Sequence, residues 1–324
     1  MDLKSSYFSP KIEFIIVVFG IYTSYLYFGI LQEHIYKNPN REPFKHAEFV
    51  VLCQMLLGSL ISFIVSKILR EPKNSPTFIK LAFQYSLPFA YSMFFTNYSL
   101  TLISYPTQAL AKSCKILPTL LGSIFVKDVH YHPLQYIGVI MITSGVVMFN
   151  WKGTGFENDS VLGLIVLFLS LTLDSFTSYY AEYIRRSTSM TSMTSLQIMH
   201  SCCSWGAIVL LPVIFLVNIF SEDNLILYLI RYPSILIDIL YFGIASAIGQ
   251  TFIFWALKIF GPLSLSIITT VRKFLAVFAS VIWFKHALSS LQWGCMILVF
   301  SGTLMDMIVS HNSGKKKIKE KENL

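Results

Sequence analysis

Long apolar runs separated by short polar segments occupy this chain from about residue 14 to about residue 309. A helix of about 20 apolar residues is long enough to cross a bilayer. Ten such runs are present, over 14–35, 47–69, 78–103, 106–126, 133–151, 161–184, 195–220, 234–257, 262–284 and 289–309. The pattern therefore predicts an all-α polytopic membrane protein with ten transmembrane helices.

The composition agrees with this reading. Of 324 residues, 54% are hydrophobic and 13% are charged, and the mean hydropathy is +0.62, which is far more apolar than a soluble domain requires. The net charge of +8 would suggest nucleic acid as a partner of a soluble protein, but most basic residues lie in loops and in the C-terminal tail. We therefore expect membrane lipid around the chain and no nucleic-acid partner.

The distribution of Lys and Arg between alternate loops predicts the orientation. An even number of spans places both termini on one side of the membrane, and cytosolic loops carry the excess of positive charge. About fifteen Lys and Arg lie on the side of the termini and about six on the other side. Both termini are therefore predicted to be cytosolic.

The second half of the chain repeats the first at an offset of 157 residues. The matching positions are Leu134-Gln135-Tyr136 with Leu291-Gln292-Trp293, and Ser144-Gly145 with Ser301-Gly302. Five spans per repeat is an odd number, so the second copy enters the membrane from the opposite side. We predict two inverted five-helix repeats, over residues 1–152 and 153–310, followed by a basic cytosolic tail over 311–324.

Four basic residues lie deep inside apolar spans: Lys112, Lys115, Arg272 and Lys273. Each costs roughly 2.5 to 3.5 kcal/mol to insert at the centre of a membrane helix. The chain can retain them if they line a wet cavity and face an anion. An Arg fork and a mobile Lys ammonium suit phosphate groups, so we expect a polyanionic cargo such as a nucleotide.

Other polar residues are expected near these cations. The fourth predicted helix carries Gln108, Lys112 and Lys115 at positions i, i+4 and i+7, which places them on one face. Tyr105 lies at the edge of that face. Glu33 and Asp174 would pair with the cations in an empty site, and Gln250 would bond a ribose or a base. Tyr22, Tyr25, Tyr27 and Phe28 would stack on a base or simply pack.

The alternative is that these groups are structural. Charges inside spans also form ion pairs between helices or extend to the interface, an option that stays open above all for Lys112, Lys273 and Asp238. Gln250 and Gln32 would then only bridge helices.

The sequence contains no Gly-x-x-x-x-Gly-Lys-Ser/Thr loop and no His-Glu-x-x-His metal motif. We therefore expect no enzyme, no cofactor and no metal site. The alternative function, a membrane-embedded transferase acting on a polyanionic or lipid-linked substrate, would need a paired carboxylate site at one membrane face.

Several segments resemble the nucleotide-sugar transporters of solute carrier family 35, and within it subfamily B. They are YFGILQE at 27–33, YPTQALAKSCKILP at 105–118, LSLTLD at 169–174, ASAIGQTFIF at 245–254 and FGPLSLSIITTVRKF at 260–274. Together with the segments between them, they make the resemblance extend over essentially the whole chain.

The resemblance implies a drug/metabolite transporter fold and a phosphate site built from Lys112, Lys115, Arg272 and Lys273. It also implies antiport across the endoplasmic reticulum membrane, with the Golgi membrane as the second choice. The implied exchange is of cytosolic UDP-galactose, UDP-glucose or ATP for luminal UMP or ADP. Base, sugar, stoichiometry and a homo-oligomeric state are left open.

Overall fold

The computed structural model of this chain describes residues 10–38, 40–68, 76–115, 117–118, 133–149, 160–186, 195–220, 225–283 and 289–322. The elements in this part of the chain are helical. Their bounds are α1 Pro10–Lys37, α2 Ala47–Ile68, α3 Pro76–Ser99, α4 Tyr105–Ala111, α5 Pro133–Phe149, α6 Val161–Arg186, α7 Ser195–Phe220, α8 Leu225–Arg231, α9 Ser234–Trp283 and α10 Ser290–Glu322. The all-α prediction is confirmed.

Five stretches in the described part of the chain are long and apolar enough to cross a membrane: Lys11–Lys37, Ala47–Ile68, Leu196–Val217, Ser234–Ile253 and Ser290–Val309. Pro133–Phe149 and Val161–Thr177 are shorter apolar helices. The protein is therefore polytopic. The last helix continues to Glu322, so the predicted tail begins as an extension of this helix, whereas the short helix α8 was not predicted.

The fourth predicted span changes its geometry at Lys112. Helix α4 ends at Ala111, and a 3₁₀ turn follows over Lys112–Lys115. A 3₁₀ helix has about 3.0 residues per turn rather than 3.6. The regular α-helical stripe predicted through Gln108, Lys112 and Lys115 is therefore interrupted, and residues 116 and 119–126 of this span lie outside the described residues.

Helix α9 is one run of 50 helical residues where the sequence predicts two spans. Gln250 accepts a hydrogen bond from the Tyr25 hydroxyl at 2.7 Å, and the guanidinium carbon of Arg272 lies 4.1 Å from the Tyr25 ring centroid. Twenty-two residues of straight α-helix span about 33 Å, too far for both contacts. The run must double back, which gives α9 a first arm (234–256) and a second arm (265–283).

Helices α5 and α10 make a close antiparallel contact through glycines. A Cβ on Gly302 would lie 2.9 Å from the Gly138 carbonyl oxygen, and a Cβ on Gly145 would lie 3.1 Å from the Cys295 carbonyl oxygen. Residue numbers fall along one helix as they rise along the other, so the helices run in opposite directions. Small residues at such contacts let membrane helices approach closely.

We predict that Gly302→Ala destabilises the protein by about 1–3 kcal/mol, because the added methyl group forces α5 and α10 apart. Gly294, on the same helix, is the matched control, since a Cβ there meets no atom within 4 Å. Thermal unfolding of the two purified variants in detergent measures the difference. Equal melting temperatures for Gly302→Ala and Gly294→Ala would contradict the close contact.

Candidate functional site

A cavity of about 210 Å³ lies among α1, α2, α3, α7 and the two arms of α9, beside the start of the 3₁₀ turn. Its polar lining consists of Tyr25, Gln54, Lys112, Ser246, Gln250 and Arg272. Its other side carries the aromatic and sulfur-containing residues Phe28, Met55, Tyr85, Phe89, Met93, Met199, Cys202 and Cys203. One cavity therefore combines cations, amides and aromatic rings.

Lys112 and Arg272 bring two positive charges to this cavity. Within the described part of the chain, neither has a carboxylate at ion-pair distance. Asp174 lies close enough to attract Lys112 electrostatically, and its Oδ1 accepts a hydrogen bond from Ser92 Oγ at 2.7 Å. The Nε of Arg272 is buried without a hydrogen-bond partner. Two cations that form no ion pair with a described carboxylate favour an anion in the cavity.

Two amides complete the polar lining. Gln54 Nε2 donates to Ser246 Oγ at 2.6 Å, which joins α2 to the first arm of α9. Gln250 Oε1 is held by the Tyr25 hydroxyl, so its Nε2 is left to donate to a ligand. Gln250 is thus brought to the cavity as the sequence predicts.

Gln108 and Tyr105 lie beside the cavity and do not line it. Gln108 is buried, and its Nε2 donates to the Thr96 carbonyl oxygen at 2.5 Å and to Ser99 Oγ at 3.1 Å. Tyr105 is buried with its hydroxyl against Gly29, where it interacts electrostatically with Arg272 and Glu33. In this conformation both side chains therefore pack between helices.

The other predicted site residues surround the same region. Glu33 is only 2% exposed and lies close to Tyr105. The Lys273 ammonium lies 3.5 Å from the Lys112 carbonyl oxygen, so it contacts the backbone of the 3₁₀ turn. The side chain of Lys115 lies outside the described part of the structure. The role of each in binding stays a prediction.

An apolar cluster, here called the apolar plug, lies at one end of the cavity. It consists of Leu31, Ile35, Tyr36, Phe44, Ala47, Val50, Leu100, Tyr105, Ile235, Ile239 and Phe242. These residues lie where α1 and α3 end and where α2, α4 and α9 begin. The cavity residues of α1, α2 and α9 lie further along the same helices, so the plug lies between the cavity and loop 38–46.

Two polar residues noted in the sequence are structural in this conformation. Arg41 donates to Asp238 Oδ2 at 2.9 Å and to the carbonyl oxygens of His34 and Ile35 at the end of α1. Gln32 donates to Asn97 Oδ1 at 3.0 Å and bridges α1 to α3. Asp238 and Gln32 therefore support the helix packing around the plug.

A larger cavity of about 590 Å³ lies among α5, α6 and the 3₁₀ turn. Its lining is apolar apart from the hydroxyl of Thr143 and the thiol of Cys114. None of the described residues that line it carries a charge that could bind a polyanion. The smaller central cavity is therefore the candidate site.

Sequence reasoning missed Gln54, Ser246 and the contact between Tyr25 and Arg272. Gln54 stands alone among apolar residues in VVLCQMLLG, and a buried amide inside a span is itself a signal of helix bridging or binding. The Tyr25 contact had no such signal, because it depends on the doubling back of α9.

The amino-acid sequence matches the model of the UAA transporter family over residues 13–310. The chain belongs to the UAA transporter family. Membership identifies this UAA transporter as a membrane transporter and not an enzyme. The alternative of a membrane-embedded transferase is therefore wrong.

Curated relatives of this UAA transporter agree over nearly its whole length. Solute carrier family 35 member B1 of Xenopus laevis is 34% identical, covering 97% of this chain and 99% of the relative. The proteins of the same name from Dictyostelium discoideum and Rattus norvegicus are 32% and 34% identical, covering 97% and 92% of this chain and 81% and 93% of theirs. The resemblance to the first member of subfamily B is thus confirmed.

One solved crystal structure shares the fold. It aligns with a TM-score of 0.57 at 14% sequence identity and covers 92% of this UAA transporter and 97% of its own chain. At that identity the likeness concerns the fold alone.

We predict that Arg272→Met stabilises the empty transporter, because it removes a partly buried charge that has no carboxylate partner in the described chain. Arg41→Met is the matched control. Its side chain is 4% exposed and pairs with Asp238, so its loss should cost about 3–5 kcal/mol. Thermal unfolding without ligand should therefore shift upward for Arg272→Met and downward for Arg41→Met. A fall for both variants would show that Arg272 is a structural residue.

Proposed function

We propose that this UAA transporter is an antiporter that exchanges a nucleotide sugar or nucleotide for a second nucleotide by alternating access. The observation that carries the proposal is the pair Lys112 and Arg272, which face one cavity without an ion pair in the described chain. Phosphate groups supply the missing negative charge. The name of the family supports transport, and the resemblance to nucleotide-sugar transporters supports the cargo.

The phosphates of the cargo bind between Lys112 and Arg272. The Arg272 guanidinium offers planar, paired N–H donors to phosphate oxygens, and the Lys112 ammonium contributes a mobile point charge. Lys115 and Lys273 lie on the same two chain segments and are proposed to extend this phosphate site as the cavity changes shape. Glu33 and Asp174 are proposed to balance the cations when no cargo is bound.

The rest of the cargo lies on the side of Gln54, Ser246 and Gln250. Amide and hydroxyl groups in a pocket lined by aromatic rings suit a base and a ribose. The cavity of about 210 Å³ is smaller than the roughly 300–1,000 Å³ of pockets that hold drug-sized ligands. The transporter must therefore widen on its open side to admit a whole nucleotide sugar.

The packing of the helices supports two repeats related by inversion. Gly145 contacts Cys295, and Gly302 contacts Gly138. Gly302 lies 157 positions after Gly145, and Cys295 lies 157 positions after Gly138. The two contacts are therefore equivalent if the halves of the chain are repeats. A second pair of contacts shows the same relation. A Cβ on Gly58 would lie 3.1 Å from Cys203 Sγ, and a Cβ on Gly206 would lie 3.1 Å from Met55 Sδ. Gly206 and Cys203 lie 148 positions after Gly58 and Met55, respectively. Such equivalent contacts are what two similar halves need in order to exchange conformations.

The apolar plug supports alternating access from one side at a time. It separates the cavity from loop 38–46, which the distribution of positive charge assigns to the lumen. In this conformation, cargo would therefore enter from the cytosolic side. Release to the lumen requires the plug residues of α1, α2 and α9 to part.

We place the transporter in the endoplasmic reticulum membrane, with the Golgi membrane as the second choice, and both termini in the cytosol. The resemblance to subfamily B of solute carrier family 35 supports the compartment. The excess of Lys and Arg on the side of the termini supports the orientation.

Exchange of purified protein in liposomes tests the proposal. ATP, ADP, UDP-galactose, UDP-glucose and UMP are each supplied as labelled substrate outside and as unlabelled partner inside. We expect uptake that depends on the internal nucleotide, because cargo binding is the condition for the change of access. Net charge identifies the pair: ATP for ADP responds to membrane potential, and UDP-sugar for UMP is nearly neutral.

Variants locate the site in the same assay. Lys112→Ala and Arg272→Ala should raise the KM for cargo about 10- to 100-fold, the effect of losing hydrogen bonds between a cation and phosphate. Arg231→Ala is the control, since this exposed arginine pairs with Glu42 far from the cavity. Absence of exchange under every preload would overturn antiport. Normal exchange by both cavity variants would overturn the assignment of the site.

A further inference from the structure

Tyr25 of α1 contacts both arms of α9 inside the candidate site. Its hydroxyl donates to Gln250 on the first arm, and its ring lies beneath the guanidinium of Arg272 on the second arm. Tyr25 itself is only 8% exposed. One side chain therefore fixes two cavity residues that are 22 positions apart in the sequence.

The ring acts on the cationic end of the site. A guanidinium over an aromatic face is attracted by the negative charge density of the ring, and this attraction strengthens when both are removed from water. Arg272 has no carboxylate partner in the described chain that could orient it instead. The Tyr25 ring therefore keeps the guanidinium in one position, with its terminal nitrogens available to an anion.

The hydroxyl acts on the amide end. By donating to Gln250 Oε1 it fixes which way the amide points, so that Nε2 is presented as a donor. Without this bond the amide could rotate and present either group. The hydroxyl thus sets the hydrogen-bonding character of the cavity beyond the phosphates.

Neighbouring residues fix the position of the Tyr25 ring. A Cβ on Gly249 would lie 2.6 Å from the Tyr25 ring, so a residue with any side chain at 249 would displace the ring. On the other side Tyr25 meets Phe28 edge to face at 5.7 Å, and Phe28 stacks on Phe242 of the apolar plug at 4.3 Å. The ring is held from both sides.

We propose that Tyr25 is a positioning residue that orders both ends of one cargo site: its ring aims Arg272 at the phosphates, and its hydroxyl aims Gln250 at the base or sugar. The inference rests on the proposed function. It differs from a base-stacking role for Tyr25, because in this proposal the ring contacts Arg272 and not the cargo. It also differs from plain packing, which would not distinguish the two ends of a ligand.

Two probes separate the ends: tripolyphosphate, which has phosphates only, and UDP or ADP, whichever the wild type exchanges. Isothermal titration of purified protein in detergent measures both affinities. Tyr25→Phe keeps the ring, so tripolyphosphate should bind within twofold of wild type while the nucleotide weakens about tenfold. Tyr25→Leu removes the ring and should weaken both probes about tenfold or more.

A double variant tests whether the ring acts through Arg272. In an Arg272→Ala background, Tyr25→Leu should cause no further loss of tripolyphosphate affinity. Gln250→Leu should resemble Tyr25→Phe, and this comparison decides the matter if Tyr25→Leu does not fold. Tyr136→Leu on α5 is the control, because that tyrosine is 54% exposed and remote from the cavity.

Three results would overturn the inference while the proposed function survives. They are wild-type affinities in Tyr25→Phe and Tyr25→Leu, equal weakening of both probes in Tyr25→Phe, and additive losses in the double variant. A wild-type protein that binds neither probe would instead overturn the proposed function, and this inference with it.

Discussion

Burial of two positive charges within the membrane is the constraint on which the rest of this structure depends. Lys112 and Arg272 reach one small cavity, and no described carboxylate forms an ion pair with either. Each such charge opposes insertion by a few kcal/mol. The fold must therefore draw its stability from elsewhere. In the proposed function, the phosphates of a cargo supply the negative charge that pairs with these cations.

The stability comes from close packing away from the cations. Helices α2 and α7 meet at Gly58 and Gly206, and α5 and α10 meet at Gly138 and Gly302, where the absence of side chains allows the backbones to approach. The apolar plug and the Arg41–Asp238 pair hold the ends of α1 and α9 together on one face. Close contacts of this kind around a charged cavity suit the alternating access proposed above.

The sequence predicts those site residues whose burial in a membrane is energetically unfavourable. A charge inside an apolar span is evident from the sequence alone, so Lys112 and Arg272 are predicted without knowledge of any contact. Gln250 is predicted as a polar amide inside a span. Helix bounds also follow closely where an apolar run has a clear polar edge, as for the helix Ser195–Phe220.

What the sequence could not predict depends on backbone geometry and on contacts between distant segments. The 3₁₀ turn at Lys112 breaks the helical spacing that would have placed Gln108 on the same face as the lysines, and the Gln108 amide bonds α3 instead. The doubling back of α9 brings Gln250 and Arg272 to the same tyrosine, a relation that no local spacing contains. The place of Gln54 in the cavity depends on the packing of α2 against the first arm of α9, where its amide donates to Ser246.

The most direct test of the central claim is the melting temperature of the purified transporter as ADP or UDP is added, compared with that of Arg272→Met. A ligand that binds the folded state alone stabilises it by about 2.7 kcal/mol at a concentration 100 times its Kd. The account predicts that the wild type gains stability as nucleotide rises, whereas Arg272→Met starts higher and gains little. If the variant gains as much as the wild type, the buried arginine does not bind the cargo and the account is wrong.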